Sequence, residues 1–179
     1  DLHALATLQE ARAAARVVHP HVAAIHAVGD HAGFAYIEME WVDGASLRKT
    51  LAAGLPTRAV AATWLAELAA ALHCAHEAGV VHCDVKPENV IVRHQGGCKL
   101  VDFGLARNRR DGGADRALSH GTLAYLAPEL ERLPPSPASD QFALAMLAGE
   151  LLWGERPERS SWRHAPDLGR RRDLPLRAL

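Results

Sequence analysis

The sequence predicts an α+β fold in which helices alternate with two β-hairpins. Three observations support this. The chain has 179 residues, of which 49% are hydrophobic and 23% charged, a composition typical of one globular domain with its own core. Several segments repeat apolar residues at helical spacing, and two pairs of short extended segments flank glycine-containing turns. The expected order is helix, hairpin, long helix, hairpin, long loop and buried helix.

The N-terminal part predicts a helix followed by a hairpin. Residues 2–17 place leucines and alanines at helical spacing among charged side chains. Pro20 ends this helix, because the residue before a proline is disfavoured in the α region. Residues 22–28 and 34–41 are extended segments separated by a turn that contains two glycines, which predicts the first hairpin.

The middle of the chain predicts a short helix and then the longest one. We expect Gly44 to break the second strand and a short helix to cover residues 46–53. Thr57 is a suitable N-cap for a helix over residues 58–78, with Gly79 as its C-terminal stop. The apolar residues that recur every three or four positions, and so predict a buried face, are Val60, Trp64, Leu65, Leu68 and Leu72.

The C-terminal part predicts a second hairpin and a buried helix. Residues 90–92 and 99–101 form two short strands around Gln95-Gly96-Gly97, and residues 105–121 form a long polar loop. An apolar helix then opens at Ser139 or Asp140 and extends to about residue 153.

Charge and cysteine content exclude several classes of protein. The formal net charge is −1, so there is no general attraction toward nucleic acid or anionic membranes, and we expect neither a nucleic-acid partner nor membrane contact from this segment. The three cysteines lack the C-x-x-C spacing of a zinc or redox motif. Reduced cysteines fit a cytoplasmic location, although a membrane anchor elsewhere in the protein is compatible with this sequence.

Three motifs follow one another in the second half of the chain. The string H-C-D-V-K-P-E-N occupies residues 82–89, D-F-G occupies 102–104, and G-T-L-A-Y-L-A-P-E occupies 121–129. In this order, the motifs resemble those of the eukaryotic-type protein kinases, in particular the bacterial serine/threonine branch. The resemblance implies a two-lobed kinase-like fold that is truncated at both ends. Residues 1–41 would then be the remnant of the N-lobe, 42–45 the hinge and 46–179 an incomplete C-lobe.

The residue types in these motifs suit phosphoryl transfer, which mainly needs positioning and neutralisation of phosphate charge. Asp84 is a loop carboxylate placed to accept the proton of an attacking hydroxyl. Lys86 can reach the transferring phosphate as a point charge. Asn89 and Asp102 offer oxygen atoms, which suit Mg²⁺, so we expect both to be metal ligands in one cleft with Asp84.

The resemblance implies further site residues and a substrate class. It assigns ATP and Mg²⁺ as cofactors and the serine or threonine hydroxyls of proteins as acceptors. Thr122 is similar to the threonine that contacts the catalytic Asp and Lys, and is assigned a catalytic role with Asp84 and Lys86. The additional residues that the resemblance assigns to the nucleotide site are Glu10 on the first helix, Met39, Glu40 and Val42 at the hinge, and Ile91.

Two departures from the family pattern affect the expected activity. No glycine-rich loop and no strand lysine precede Glu10 in this sequence. Cys83 stands where the family has an arginine that helps to bind a phosphorylated loop. Because the loop and the lysine would cover and hold the phosphates, we expect the 179-residue chain by itself to have little or no kinase activity, even if the complete protein is an active kinase. The replacement of the arginine by Cys83 implies a kinase that does not need loop phosphorylation to become ordered.

Two other function classes remain open at this stage. The first is a regulatory or binding pseudokinase, which the intact set Asp84, Asn89 and Asp102 disfavours. The second is a small-molecule phosphotransferase of the aminoglycoside type. Because those enzymes lack the Ala-Pro-Glu segment that is present here at residues 127–129, this class ranks last.

Overall fold

The computed structural model describes residues 11–32, 34–103 and 123–155, and in these ranges the chain forms two antiparallel sheets and three principal helices. The first described residues, 11–14, are helical, as the sequence predicts for residues 2–17. The α+β class is confirmed, with helices and small sheets in the predicted order. The predicted loop at 105–121 lies outside the described residues.

The first sheet is the predicted hairpin. Strands β1 (Ile25–His31) and β2 (Phe34–Met39) pair in an antiparallel register. The prediction that the first strand begins at residue 22 is wrong. Val22 instead forms a parallel bridge with Leu100, and the Ala23 amide donates to the Leu100 carbonyl at 2.9 Å. The segment before β1 is therefore attached to the other sheet.

The second sheet has three antiparallel strands in the order β3 (Gly44–Ser46), β4 (Val90–Arg93) and β5 (Cys98–Leu100). The second strand ends at Met39, before the predicted break, and Gly44 begins β3, a strand that the sequence did not predict. A Cβ atom there would lie 2.2 Å from the carbonyl oxygen of Val92, so glycine permits the close approach of β3 to β4.

Two helices follow β3, and each is capped by a side chain. Helix α1 (Leu47–Ala53) begins after Ser46, whose hydroxyl accepts from the Lys49 amide at 3.4 Å. Helix α2 (Arg58–Glu77) begins after the predicted N-cap Thr57. Its buried residues are Ala61, Trp64, Leu68, Ala71, Leu72 and Ala75. Val60, predicted on this face, is 39% exposed because it lies at the edge of that stripe.

Helix α3 (Pro137–Trp153) begins earlier than predicted. Ser136 and Ser139 form a reciprocal capping box, and Pro137 occupies the first turn, where its missing N–H costs no helical hydrogen bond. The helix packs against α2 and buries Met146, Leu147 and Leu151 in the main core. The core thus holds α2, α3 and the three-stranded sheet together around the segment that links α2 to β4.

Candidate active site

The segment between α2 and β4 carries the first motif, and Asp140 of α3 anchors it. Asp140 is almost fully buried. Its carboxylate accepts hydrogen bonds from the amides of His82 at 2.8 Å and Cys83 at 2.9 Å, and it contacts Nε2 of His76 at 2.8 Å. Cys83 has a φ of 67°, a left-handed conformation that is costly for a residue with a side chain. The two bonds to Asp140 help to offset this cost.

His82 links the loop to the strand that leads to Asp102. Its Nδ1 accepts from the Asp84 amide at 3.2 Å, so Nε2 carries the proton and donates to the Val101 carbonyl at 3.0 Å. Burial lowers the pKa of His82 and outweighs the nearby carboxylates of Asp140, Asp84 and Asp102, which act to raise it. A neutral imidazole is required for this bonding pattern, because a protonated Nδ1 could not accept.

Three predicted site residues lie together in the loop. Lys86 Nζ contacts Asp84 Oδ2 at 2.7 Å. The Asn89 side-chain amide donates to both the backbone oxygen and Oδ2 of Asp84, at 2.9 and 3.0 Å. Among the described residues, the side-chain nitrogen of Asn89 therefore donates only to Asp84. The side-chain oxygen of Asn89 accepts no hydrogen bond from any residue in the described ranges. Asp84, Lys86 and Asn89 form one hydrogen-bonded cluster.

Asp102 lies at the same end of the second hairpin as Asn89. The Val101 amide donates to the Asn89 carbonyl at 2.9 Å, which extends the pairing of Val90 with Leu100 by one position. Asp102 follows with a φ of 60° and an exposed side chain, and its charge acts on His82 together with that of Asp84. The structure thus brings Asp102 to the end of the sheet that carries the loop cluster. Ile91 is half-buried in the central strand β4.

The chemistry of these oxygen atoms fits magnesium. The Asn89 amide oxygen and the Asp102 carboxylate are hard donors, and Mg²⁺ commonly takes one or two protein ligands while keeping several waters. In the described ranges, no three His, Cys, Asp or Glu side chains converge as a metal-binding group. Such a group is the signature of a dedicated protein cage, which magnesium in phosphotransfer sites does not need.

The predicted hinge residues follow β2. The Glu40 amide donates to the Ala24 carbonyl at 2.7 Å, so its carbonyl, rather than its N–H, remains for a ligand. Val42 is half-buried, and no residue of the described ranges forms a hydrogen bond with its backbone. Met39 is half-buried at the end of β2, and the side chain of Trp41 is 90% exposed. The described parts of the chain therefore cover these hinge residues only in part.

Two predicted site residues, Glu10 and Thr122, lie outside the described residues, as does Gly104 of the D-F-G motif.

A second polar cluster was not predicted from the sequence. Arg48 of α1 contacts Glu88 at 2.9 Å, Glu150 of α3 at 2.5 Å and the Tyr125 hydroxyl at 2.9 Å, and Tyr125 also donates to Glu150. Burial and the bond to Glu150 raise the pKa of Tyr125, so its hydroxyl stays a donor at neutral pH. The cluster attaches the turn Pro87–Asn89 to two helices.

Asp140 was also not predicted to anchor the loop. One signal for Asp140 was present in the sequence, namely an acid at the start of an otherwise apolar helix. Arg48 and Glu150 are separated by 102 positions, and no local pattern could have paired them.

Comparison with known proteins identifies the class. The family model described as the protein kinase domain matches residues 3–169. The chain is 41% identical over 157 residues to the serine/threonine-protein kinase PknD of Mycobacterium tuberculosis, which covers 85% of this chain and 23% of PknD. It is 38% identical over 152 residues to PknL of the same organism, covering 83% of this chain and 38% of PknL. It is also 38% identical over 155 residues to a probable serine/threonine-protein kinase of Streptomyces coelicolor, covering 80% of this chain and 23% of that protein.

The fold and these matches define a kinase catalytic domain, and the chain belongs to the protein kinase family. By family it is an enzyme of the bacterial serine/threonine protein kinase class, as the resemblance predicted. The chain spans about a quarter of the length of PknD. Among the described residues, no helix is both long and apolar enough to cross a membrane.

Proposed function

We propose that the protein containing this chain transfers the γ-phosphate of ATP to serine or threonine hydroxyls of protein substrates. The observation that carries the proposal is the cluster of Asp84, Lys86 and Asn89, in which one carboxylate contacts both a cation and an amide at hydrogen-bond distance. Such fixed groups can orient an acceptor hydroxyl and balance the charge of a phosphate without reorganising during the reaction.

Each residue of the cluster has a distinct proposed role. Asp84 accepts the proton of the attacking hydroxyl through its carboxylate, which is a quarter exposed and so can be reached by a substrate. Lys86 offsets the negative charge on the transferring phosphate. The Asn89 contact to Asp84 Oδ2 orients the carboxylate, so its acceptor direction is set before the substrate arrives.

Asn89 and Asp102 are the proposed magnesium ligands. Bound Mg²⁺ would supply charge neutralisation on the phosphates. The chain contributes the positions of the two oxygen donors, which the pairing of β4 with β5 brings to one end of the sheet.

The adenine end of ATP is proposed to bind at the hinge, residues 42–45 together with Met39 and Glu40, against Ile91. The carbonyl of Glu40 and the amide of Val42 are proposed to bond the adenine edge. Backbone groups suit this role because they lose little conformational entropy on binding. Residues 1–41 and 46–179 would then flank the hinge as parts of the two lobes, with Glu10 and Thr122 in their family roles.

The complete protein should be assayed with radiolabelled ATP, Mg²⁺ and a basic protein acceptor, followed by identification of the phosphorylated amino acids. We expect phosphoserine or phosphothreonine, and we expect Asp84→Asn to lower kcat by about 10²- to 10⁴-fold, the usual contribution of a general base. Asp30→Asn is the matched control, since this aspartate is exposed on β1, away from the loop cluster.

Two results would contradict the proposal. Nucleotide binding without phosphotransfer would indicate a pseudokinase, and transfer to a small molecule but to no protein would indicate the other phosphotransferase class. The 179-residue chain should be assayed in parallel, because the expectation that it has little activity by itself stays a prediction.

A further inference from the structure

Lys99 is a part-buried cation that joins the second sheet to the hinge. It lies on β5, three positions before Asp102, and its side chain is 13% exposed. Its Nζ contacts both carboxylate oxygens of Glu40 at 2.6 Å and the Val22 carbonyl at 3.4 Å. One ammonium group therefore holds a hinge residue and the segment before β1.

Glu40 is held from two sides. Its amide donates to the Ala24 carbonyl at 2.7 Å, while its carboxylate accepts from the Ala24 amide at 3.1 Å and from Lys99. Its side chain is 30% exposed. A charge-assisted hydrogen bond with both partners partly shielded from water is stronger than a fully exposed ion pair. The backbone of Glu40 is thus fixed relative to Ala24 and to β5.

The segment before β1 completes this connection. The Leu100 amide donates to the His21 carbonyl at 2.8 Å, and the Ala23 amide donates to the Leu100 carbonyl at 2.9 Å. The segment is therefore fastened to β5 by its backbone and to Glu40 through Ala24. Lys99, on the same strand, also bonds directly to the Val22 carbonyl of this segment and to the Glu40 carboxylate.

We propose that Lys99, acting through Glu40, is a positioning residue that sets the hinge backbone for the adenine of a bound nucleotide. This inference rests on the proposed function, because it assumes that Glu40 and Val42 bond the adenine edge. Lys99 itself contacts no substrate atom in this scheme. Its effect is on the position of the Glu40 carbonyl and on the amide of Val42, two residues further on.

The proposal predicts that changing Lys99 weakens the binding of the adenine end of the nucleotide and leaves the binding of its phosphates unchanged. When Lys99 is replaced by Met, the Glu40 carboxylate keeps the Ala24 amide but loses its cation, so the hinge is held less firmly. We expect the affinity for adenosine and for ATP to fall by about 3- to 30-fold, the range seen when a residue acts on a site through others. Inorganic tripolyphosphate with Mg²⁺ has no adenine, and its affinity should be unchanged.

The experiment compares the complete protein with its Lys99→Met and Glu40→Gln variants and with Lys49→Met as a control. Lys49 is an exposed lysine on α1 and is not among the residues that contact Glu40 or Lys99 in the described ranges. Calorimetry would measure the binding of adenosine, Mg²⁺-ATP and Mg²⁺-tripolyphosphate, and hydrogen–deuterium exchange would follow the amides of residues 39–44. Weaker adenosine binding with unchanged tripolyphosphate binding, and faster hinge exchange, would support the proposal.

Other outcomes overturn it. Unchanged adenosine affinity, tighter binding, or an equal loss for adenosine and tripolyphosphate would show that Lys99 has no adenine-specific role. If Lys99→Met does not fold, Glu40→Gln decides the question, because it keeps the size of the side chain while removing its charge. A wild-type protein that binds no ATP would contradict the proposed function itself, whereas wild-type binding with no variant effect would contradict this inference alone.

Discussion

The two sheets of this molecule differ sharply in how they are held. No residue of strands β1 and β2 is fully buried, and the side chain of Phe34 on β2 is 77% exposed. In the three-stranded sheet, by contrast, Val90, Cys98 and Leu100 are completely buried in the core. The hairpin is held by its own pairing and by contacts at its ends, whereas the second sheet is held by packing.

This difference matches the distribution of the proposed roles. Asn89 and Asp102 flank the packed sheet, where position is set by the core, and the hairpin contributes the hinge at its end. The position of the hinge backbone therefore depends on individual polar contacts, such as the one between Glu40 and Lys99. The two halves of the candidate site are therefore fixed by different forces, and each can be weakened separately.

The largest expected effect is on the anchor of the loop. Asp140→Ala removes the acceptor for the amides of His82 and Cys83 and leaves these buried donors without a partner. We expect it to lower the free energy of unfolding by about 3–5 kcal/mol, as when one partner of a buried polar pair is removed. Urea denaturation measures this. Asp140→Asn keeps one acceptor oxygen and should lose less stability than Asp140→Ala. Equal losses would show that the retained oxygen does not stabilise the loop.

A smaller effect tests the comparison of the two sheets directly. Leu100→Ala leaves a cavity in the packed sheet and should lower the free energy of unfolding by about 2–5 kcal/mol. Phe34→Ala, at an exposed position of the hairpin, should change it by no more than about 0.5 kcal/mol. The two variants should be compared by urea denaturation under identical conditions. Similar losses would mean that both sheets depend on packing.

The smallest effect is a pH dependence at the hinge. Burial acts to raise the pKa of the Glu40 carboxyl, but hydrogen bonds from Lys99 and Ala24, and the charges of Lys99 and His26, outweigh it and hold the pKa below its ordinary value of 4.5. Because the folded pKa is depressed, the stabilisation is complete above the ordinary value and is lost as the pH falls through the folded pKa.

The stability difference between wild type and Glu40→Gln should therefore be larger at pH 7 than at pH 3, by up to about 1 kcal/mol, since the pair is partly exposed to solvent. Denaturation curves at the two pH values test this. In a Lys99→Met background the pH dependence should diminish, and a difference that persists there undiminished would assign the effect to another group.

Local signals predicted most of the fold. The N-cap Thr57 and the stop at Gly79, which has a φ of 74°, depend on interactions within a few residues, and the structure confirms them. Strand β3 was missed because its glycine is required by a close approach to Val92, which is distant in sequence. Helix α3 begins before the predicted start at Ser139 or Asp140, because Pro137 occupies its first turn, where proline is favoured.

The candidate site likewise contains residues that a local motif predicts and residues that only the tertiary fold brings together. Asp84, Lys86 and Asn89 lie within six consecutive positions, and one short motif was enough to predict that they act together. The residues that hold the loop and the hinge in place come from distant helices and strands. Asp140 is 58 positions from His82, and Lys99 is 59 positions from Glu40. Pairs of this kind are made by the tertiary fold, and neither periodicity nor spacing encodes them.

The position of Asp140 also has a consequence for protein synthesis. Ribosomes add about 5–20 residues per second, so roughly 3 to 12 seconds separate the synthesis of His82 from that of the carboxylate that fixes its amide 58 positions later. During that interval the nascent chain already contains Asp84, Lys86 and Asn89, but the loop that carries them lacks its anchor. Translation order therefore delays the anchoring of this loop until α3 has been made.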